Sequence, residues 1–119
     1  MRFLLADGGS STRFALCTLL EQQAGWHVVG EVSSGEQLFE IVNANHPEIL
    51  LLDWSLPGLN SEDFIPSLKK QYPKIAVIVM SGRPEVKMKA CSAGADAFVS
   101  KTEPPRKLLG AISLISIKL

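Results

Sequence analysis

The chain has 119 residues, of which 46% are hydrophobic, and its 12 Lys and Arg balance 12 Asp and Glu to a net charge of zero. That length suits one domain, residues 1–119, with a real core and is too short for two. The charge balance argues against nucleic-acid binding by this segment, which would rest on long-range attraction to phosphates. No apolar run approaches the roughly 20 residues that cross a bilayer, and no signal peptide follows Met1, so a cytoplasmic location without a membrane partner is expected.

Short apolar runs alternate with amphipathic stretches. Phe3 to Ala6 reads as a strand, followed by a helix with Leu16, Leu19 and Leu20 on one face and Gly25 at its end. His27 to Val32 is a second strand, and Ser33 with Glu36 forms a capping box for a helix carrying Leu38, Ile41 and Val42. The third strand, Ile49 to Leu52, lacks polar alternation, as does the fourth, Ile75 to Met80; both faces of each are expected to be covered. Between them Asn60 caps a helix built on Phe64 and Leu68, which Tyr72-Pro73 ends. A fourth helix follows on Val86, Ala90 and Ala93, closed by Gly94. Ala97 to Val99 makes the last strand, and Pro104 and Pro105 suit the first turn of a helix on Leu108, Ala111, Ile112 and Ile115. Strand and helix thus alternate five times. The fold expected is α/β, a doubly wound (βα)5 open parallel sheet of flavodoxin-like order 2-1-3-4-5.

Ligands of open parallel sheets bind beyond the carboxyl ends of the strands, which selects Asp7, Asp53, Ser81 and Lys101. A carboxylate attacks phosphorus only when repulsion between the anions is suppressed by a divalent cation held on neighbouring oxygens, and Asp7 is placed to help hold one. The Ser81 hydroxyl and the Lys101 ammonium would supply donors to phosphoryl oxygens. Each group also has a plainer reading: a turn carboxylate before Pro57-Gly58, a loop hydroxyl before Gly82, a solvated lysine. Their joint position at successive strand ends favours a site. Cys17 and Cys91 read as reduced core thiols, and His27 and His46 as isolated surface or strand-edge imidazoles.

The stretches Leu51-Leu52-Asp53-Trp54-Ser55-Leu56-Pro57-Gly58, Val77-Ile78-Val79-Met80-Ser81-Gly82 and Gly94-Ala95-Asp96-Ala97-Phe98-Val99-Ser100-Lys101 carry a resemblance. With them, the chain resembles the receiver domains of bacterial two-component response regulators. Val28-Val29-Gly30-Glu31 and Ser34-Gly35-Glu36 are most similar to receivers joined to LuxR or NarL type DNA-binding domains. The resemblance implies a phosphoprotein that takes a phosphoryl group on Asp53 with magnesium assistance, using Ser81 and Lys101, and that is not an enzyme in the ordinary sense. It implies Asp7, Asp53 and the Ser55 carbonyl as magnesium ligands, Phe98 as a switch aromatic, and Ser55 and Arg83 side chains that tune loss of the phosphoryl group. The switched face would be that of the fourth helix, fifth strand and fifth helix. A histidine kinase or phosphotransfer protein would be the partner, with homodimerisation and a transcription-regulating output domain beyond Leu119 as further implications.

The sequence departs from that family at Gly8, where the resemblance implies a second acid and a direct magnesium ligand; weakened magnesium binding follows. Leu56 stands for a usual methionine and Ser61 for a usual glycine. Two other readings compete. One is a degenerate receiver that binds proteins without phosphorylation, motivated by Gly8; the other is a flavodoxin-like carrier, motivated by the turn from Gly8 to Thr12, which could cradle an anion.

Overall fold

The computed structural model describes residues 1–118. In chain order the elements are β1 (Arg2–Ala6), α1 (Ser10–Glu21), β2 (His27–Val32), a 3₁₀ turn (Gly35–Gln37), α2 (Leu38–Asn45) and β3 (Ile49–Asp53). They continue with α3 (Ser61–Gln71), β4 (Ala76–Ser81), α4 (Val86–Ala93), β5 (Ala97–Ser100) and α5 (Pro105–Lys118). The strands are all parallel in the order β2-β1-β3-β4-β5, as expected.

Alternation within the apolar strands sorts their side chains onto two faces. Leu4, Ala6, Leu50, Leu52, Val77 and Val79 pack with Leu38 and Val42 of α2, Phe64, Ile65 and Leu68 of α3, and Val86 and Ala90 of α4. The residues between them, Phe3, Leu5, Ile49, Leu51, Ile78 and Met80, pack with Leu16 and Leu20 of α1 and Leu108, Ile112 and Ile115 of α5. Every residue of β4 is buried, whereas β2, at the sheet edge, has none that is. A slip of one residue would exchange the two sets.

Helix ends are partly local and partly tertiary. The Asn60 side chain accepts a hydrogen bond from the Asp63 amide at 3.2 Å, as a cap should. Gly94 closes α4 in the left-handed conformation, at φ 107°, where a Cβ would be strained. Pro105 opens α5, with Pro104 just before it.

Three expectations need correction. Ser33 and Glu36 form no capping box: α2 begins only at Leu38, and the preceding turn is 3₁₀ with no side-chain cap. The Gly35 amide donates instead to the Pro57 carbonyl at 2.7 Å, and a Cβ on Gly35 would meet Leu59 Cβ at 2.4 Å. A close tertiary approach of the β3–α3 loop therefore takes the place of the local cap. Gly25 does not end α1, which stops at Glu21; it turns the chain into β2 with φ 79°. Cys91 is exposed and Cys17 only half-buried, so the thiols are free but Cys91 is not in the core. Burial raises the Cys17 thiol pKa, with Glu31 and Glu21 adding to the effect. His27 is exposed on β2 with its Nδ1 3.9 Å from Glu21 Oε2, and His46 is the exposed left-handed cap of α2.

Candidate functional site: a crevice at the carboxyl end of the sheet

The four strand-end residues reach the crevice from four strands. Asp7 follows β1, Lys101 follows β5, and Asp53 and Ser81 are the last residues of β3 and β4, each of which runs one residue further than expected. Because all strands are parallel, their carboxyl ends lie on one rim.

Lys101 joins the two acids. Its Nζ lies 2.7 Å from Asp7 Oδ2 and 3.3 Å from Asp53 Oδ2. The Asp7 side chain is only 7% exposed and that of Asp53 15%, so neither charge could stand there cheaply without a partner. Burial alone would lower the lysine pKa, but the hydrogen bond to Asp7 and the negative charges of Asp53 and Asp7 outweigh it and raise the value above the ordinary 10.5. The ammonium is thus held charged between two carboxylates.

Asp7 is fixed on its other side as well. The Gly9 amide donates to Asp7 Oδ1 at 2.8 Å, and Arg13 donates to the Asp7 carbonyl at 2.7 Å while its Nε lies 3.3 Å from Glu31 Oε1. The Gly8–Thr12 turn does open a helix, as its composition suggested, but its Gly9 amide is engaged by Asp7. Asp53 is oriented by the Ser55 amide, which donates to its Oδ1 at 3.1 Å. The loop behind it is pinned by Ser61, whose hydroxyl donates to the Trp54 carbonyl at 2.8 Å. Arg13 escaped the sequence reading, and Ser61 entered it only as a departure from a usual glycine. The only signal for Arg13 was a basic residue in the first turn of a helix, where the dipole disfavours it.

Ser81 is buried, and its Oγ accepts from the Arg83 amide at 3.1 Å. Its carbonyl accepts from the Lys101 amide at 2.9 Å, but among the described residues no hydrogen bond links its hydroxyl to Asp7, Asp53 or Lys101, so that side chain borders the triad without joining its network. Phe98, on β5 opposite Val79, is half-buried against the α2–α4 face. Trp54 packs against the same face. Ser55 and Arg83 are exposed and line a cleft of about 310 Å³ with Trp54 and Asn60. A larger, mostly apolar groove of about 730 Å³ runs between α1 and α5, with exposed Phe14 and Lys101 among its lining residues.

Among the described residues no three His, Cys, Asp or Glu side chains are grouped to cage a metal. Magnesium, however, usually binds through one or two carboxylates and keeps several waters. Two carboxylates reaching one ammonium fit such an ion in donor type and number. At Gly8 a Cβ would lie 3.2 Å from Pro57 Cδ, so the proline ring covers the position from which a further acid would start.

The family model described as the response regulator receiver domain matches residues 3–113. The chain is 33% identical over 110 residues to the probable transcriptional regulatory protein SgaR of Hyphomicrobium methylovorum, covering 91% of this chain and 52% of that one. It is 29% identical to the chemotaxis protein CheY of Thermotoga maritima, covering 97% of each. The isolated REC domain of RcsB from Salmonella enterica, solved in the presence of the phosphomimetic BeF3-, superposes with a TM-score of 0.88 at 23% identity, over 98% of this chain and 88% of that one. The chain spans about half the length of SgaR and nearly all of CheY. No helix among the described residues is long and apolar enough to cross a membrane. With five parallel strands in the order 2-1-3-4-5 and three charged strand-end side chains drawn together, the chain belongs to the receiver domains of two-component response regulators.

Proposed function

We propose that this domain, over residues 1–119, accepts a phosphoryl group on Asp53 from a cytoplasmic histidine kinase or phosphotransfer protein. The observation that carries the reading is the Lys101 ammonium set 3.3 Å from Asp53 Oδ2 and 2.7 Å from Asp7 Oδ2. An Asp53 oxygen attacks phosphorus, the bond from phosphorus to the donor nitrogen breaks, and an acyl phosphate remains on the chain. The Ser55 amide holds the other carboxylate oxygen and so aims the attacking one. Lys101 offsets the added negative charge, and the Ser81 hydroxyl, which donates to nothing among the described residues, is available to a phosphoryl oxygen.

Asp7, Asp53 and the Ser55 carbonyl would hold magnesium, which when bound screens the repulsion between carboxylate and phosphoryl oxygens. The occupied site biases a two-state equilibrium, in which Ser81 closes on the phosphoryl group, Phe98 shifts, and the face of α4, β5 and α5 reports the change. SgaR is named as a probable transcriptional regulatory protein; a similar regulatory output, through a homodimer or a domain beyond Leu119, fits the same scheme. Incubation with acetyl phosphate and magnesium should add one phosphoryl mass to the intact protein and none to Asp53→Asn. No gain in the wild-type protein would reject the proposal.

A second reading is favoured by Gly8 and by the shorter contact of Lys101 to Asp7 than to Asp53. Here the domain binds partners without phosphorylation, the lysine serving as its resident cation. Asp53→Asn would then leave dimerisation and partner binding unchanged, and a clear change in either rejects it.

A further inference from the structure

Ser61 is an unusual side chain for its place. It is the first residue of α3, it is 4% exposed, and it follows the Asn60 cap that already serves the helix. Its hydroxyl is not used to cap α3. It reaches back seven residues and donates to the Trp54 carbonyl at 2.8 Å.

That carbonyl belongs to the peptide unit joining Trp54 to Ser55, whose N–H donates to Asp53 Oδ1 at 3.1 Å. A peptide unit is planar, so fixing its carbonyl fixes the direction of its N–H. The chain on either side is also tied, since the Trp54 amide donates to the Met80 carbonyl and the Leu56 amide to the Asp53 carbonyl, each at 3.0 Å. Neither of those bonds sets the tilt of the Trp54–Ser55 plane. Among the described residues only the Ser61 hydroxyl grips it from the side opposite Asp53.

We infer that Ser61 is a positioning residue for the acceptor: by holding the Trp54 carbonyl it aims the Ser55 amide at Asp53 Oδ1 and leaves Oδ2 turned towards Lys101 and the incoming group. The inference rests on Asp53 being the acceptor for its chemical consequence, but its structural half stands without phosphorylation. A lost neutral hydrogen bond of ordinary worth corresponds to a change of about threefold to tenfold.

The test compares wild type, Ser61→Ala, Ser61→Thr and Asn60→Ala by NMR and by acetyl phosphate kinetics. Asn60→Ala removes the helix cap and leaves the Ser61 hydroxyl in place, so it controls for loosening of α3. In Ser61→Ala the Trp54 carbonyl carbon resonance should move upfield, the Ser55 amide should exchange about threefold to tenfold faster, and Asp53 should be phosphorylated slower by a similar factor. Asn60→Ala should leave the Trp54 and Ser55 signals as in wild type, and Ser61→Thr, which keeps the hydroxyl, should restore them. Unchanged signals in Ser61→Ala, or the same changes in Asn60→Ala, would overturn the inference. If the wild-type protein takes no phosphoryl group, the function proposed above fails while the NMR comparison still decides the role of Ser61.

Discussion

Replacing Lys101 by methionine keeps most of the side-chain volume and removes the charge that Asp7 and Asp53 share. Their Oδ2 atoms lie 2.7 and 3.3 Å from the same nitrogen, so they stand at most about 6 Å apart, where two like charges repel by about 3 kcal/mol at an effective dielectric constant of about 20. Lys101 is itself 29% exposed, and water at the mouth of the crevice screens part of that repulsion. The expected loss of folding stability at pH 7 is about 1–2 kcal/mol, read by urea denaturation. Adding Asp7→Asn to Lys101→Met should recover most of it. Magnesium should stabilise Lys101→Met more than wild type, because the cation then has no ammonium to compete with for the carboxylates. The lysine pKa is raised in the folded protein, so its contribution is fully present below the ordinary 10.5 and is lost as pH rises through the higher folded value. The stability gap between wild type and Lys101→Met should therefore persist from neutral pH to about pH 10 and close above it. Equal stability of the two proteins at pH 7, with the same response to magnesium, would refute the account of a lysine bridging two acids.

Gly8→Asp should tighten magnesium binding by about tenfold to a hundredfold, followed by Trp54 fluorescence. Without magnesium it should destabilise the fold, because it adds a third anion and presses its Cβ to 3.2 Å from Pro57 Cδ. At the opposite end of the sheet, Asp96 Oδ2 accepts from the Val77 amide at 2.8 Å and from Lys69 Nζ at 2.5 Å. Asp96→Ala should cost about 1–3 kcal/mol in urea denaturation and leave the magnesium titration unchanged. Gly94→Ala forces a Cβ onto a residue at φ 107° and should lower stability by about 1 kcal/mol or more in thermal melts.

The amino-acid sequence by itself determined the alternation of elements, the doubly covered sheet and the rim on which the chemistry gathers. Those follow from periodicity and from the general rule that parallel strands present their carboxyl ends together. Asp7, Asp53 and Lys101 could be chosen for that reason, although they are separated by dozens of residues. The tertiary structure alone decided how they meet: that Lys101 spans both acids, that the Asp7 carboxylate takes the Gly9 amide, that Pro57 covers Gly8, and that Ser61 grips the Trp54 carbonyl. The same holds for the missing cap at Ser33, where the Gly35 amide found a carbonyl in another loop. Local patterns record which backbone states are cheap, whereas these contacts depend on distances between segments that no local pattern encodes.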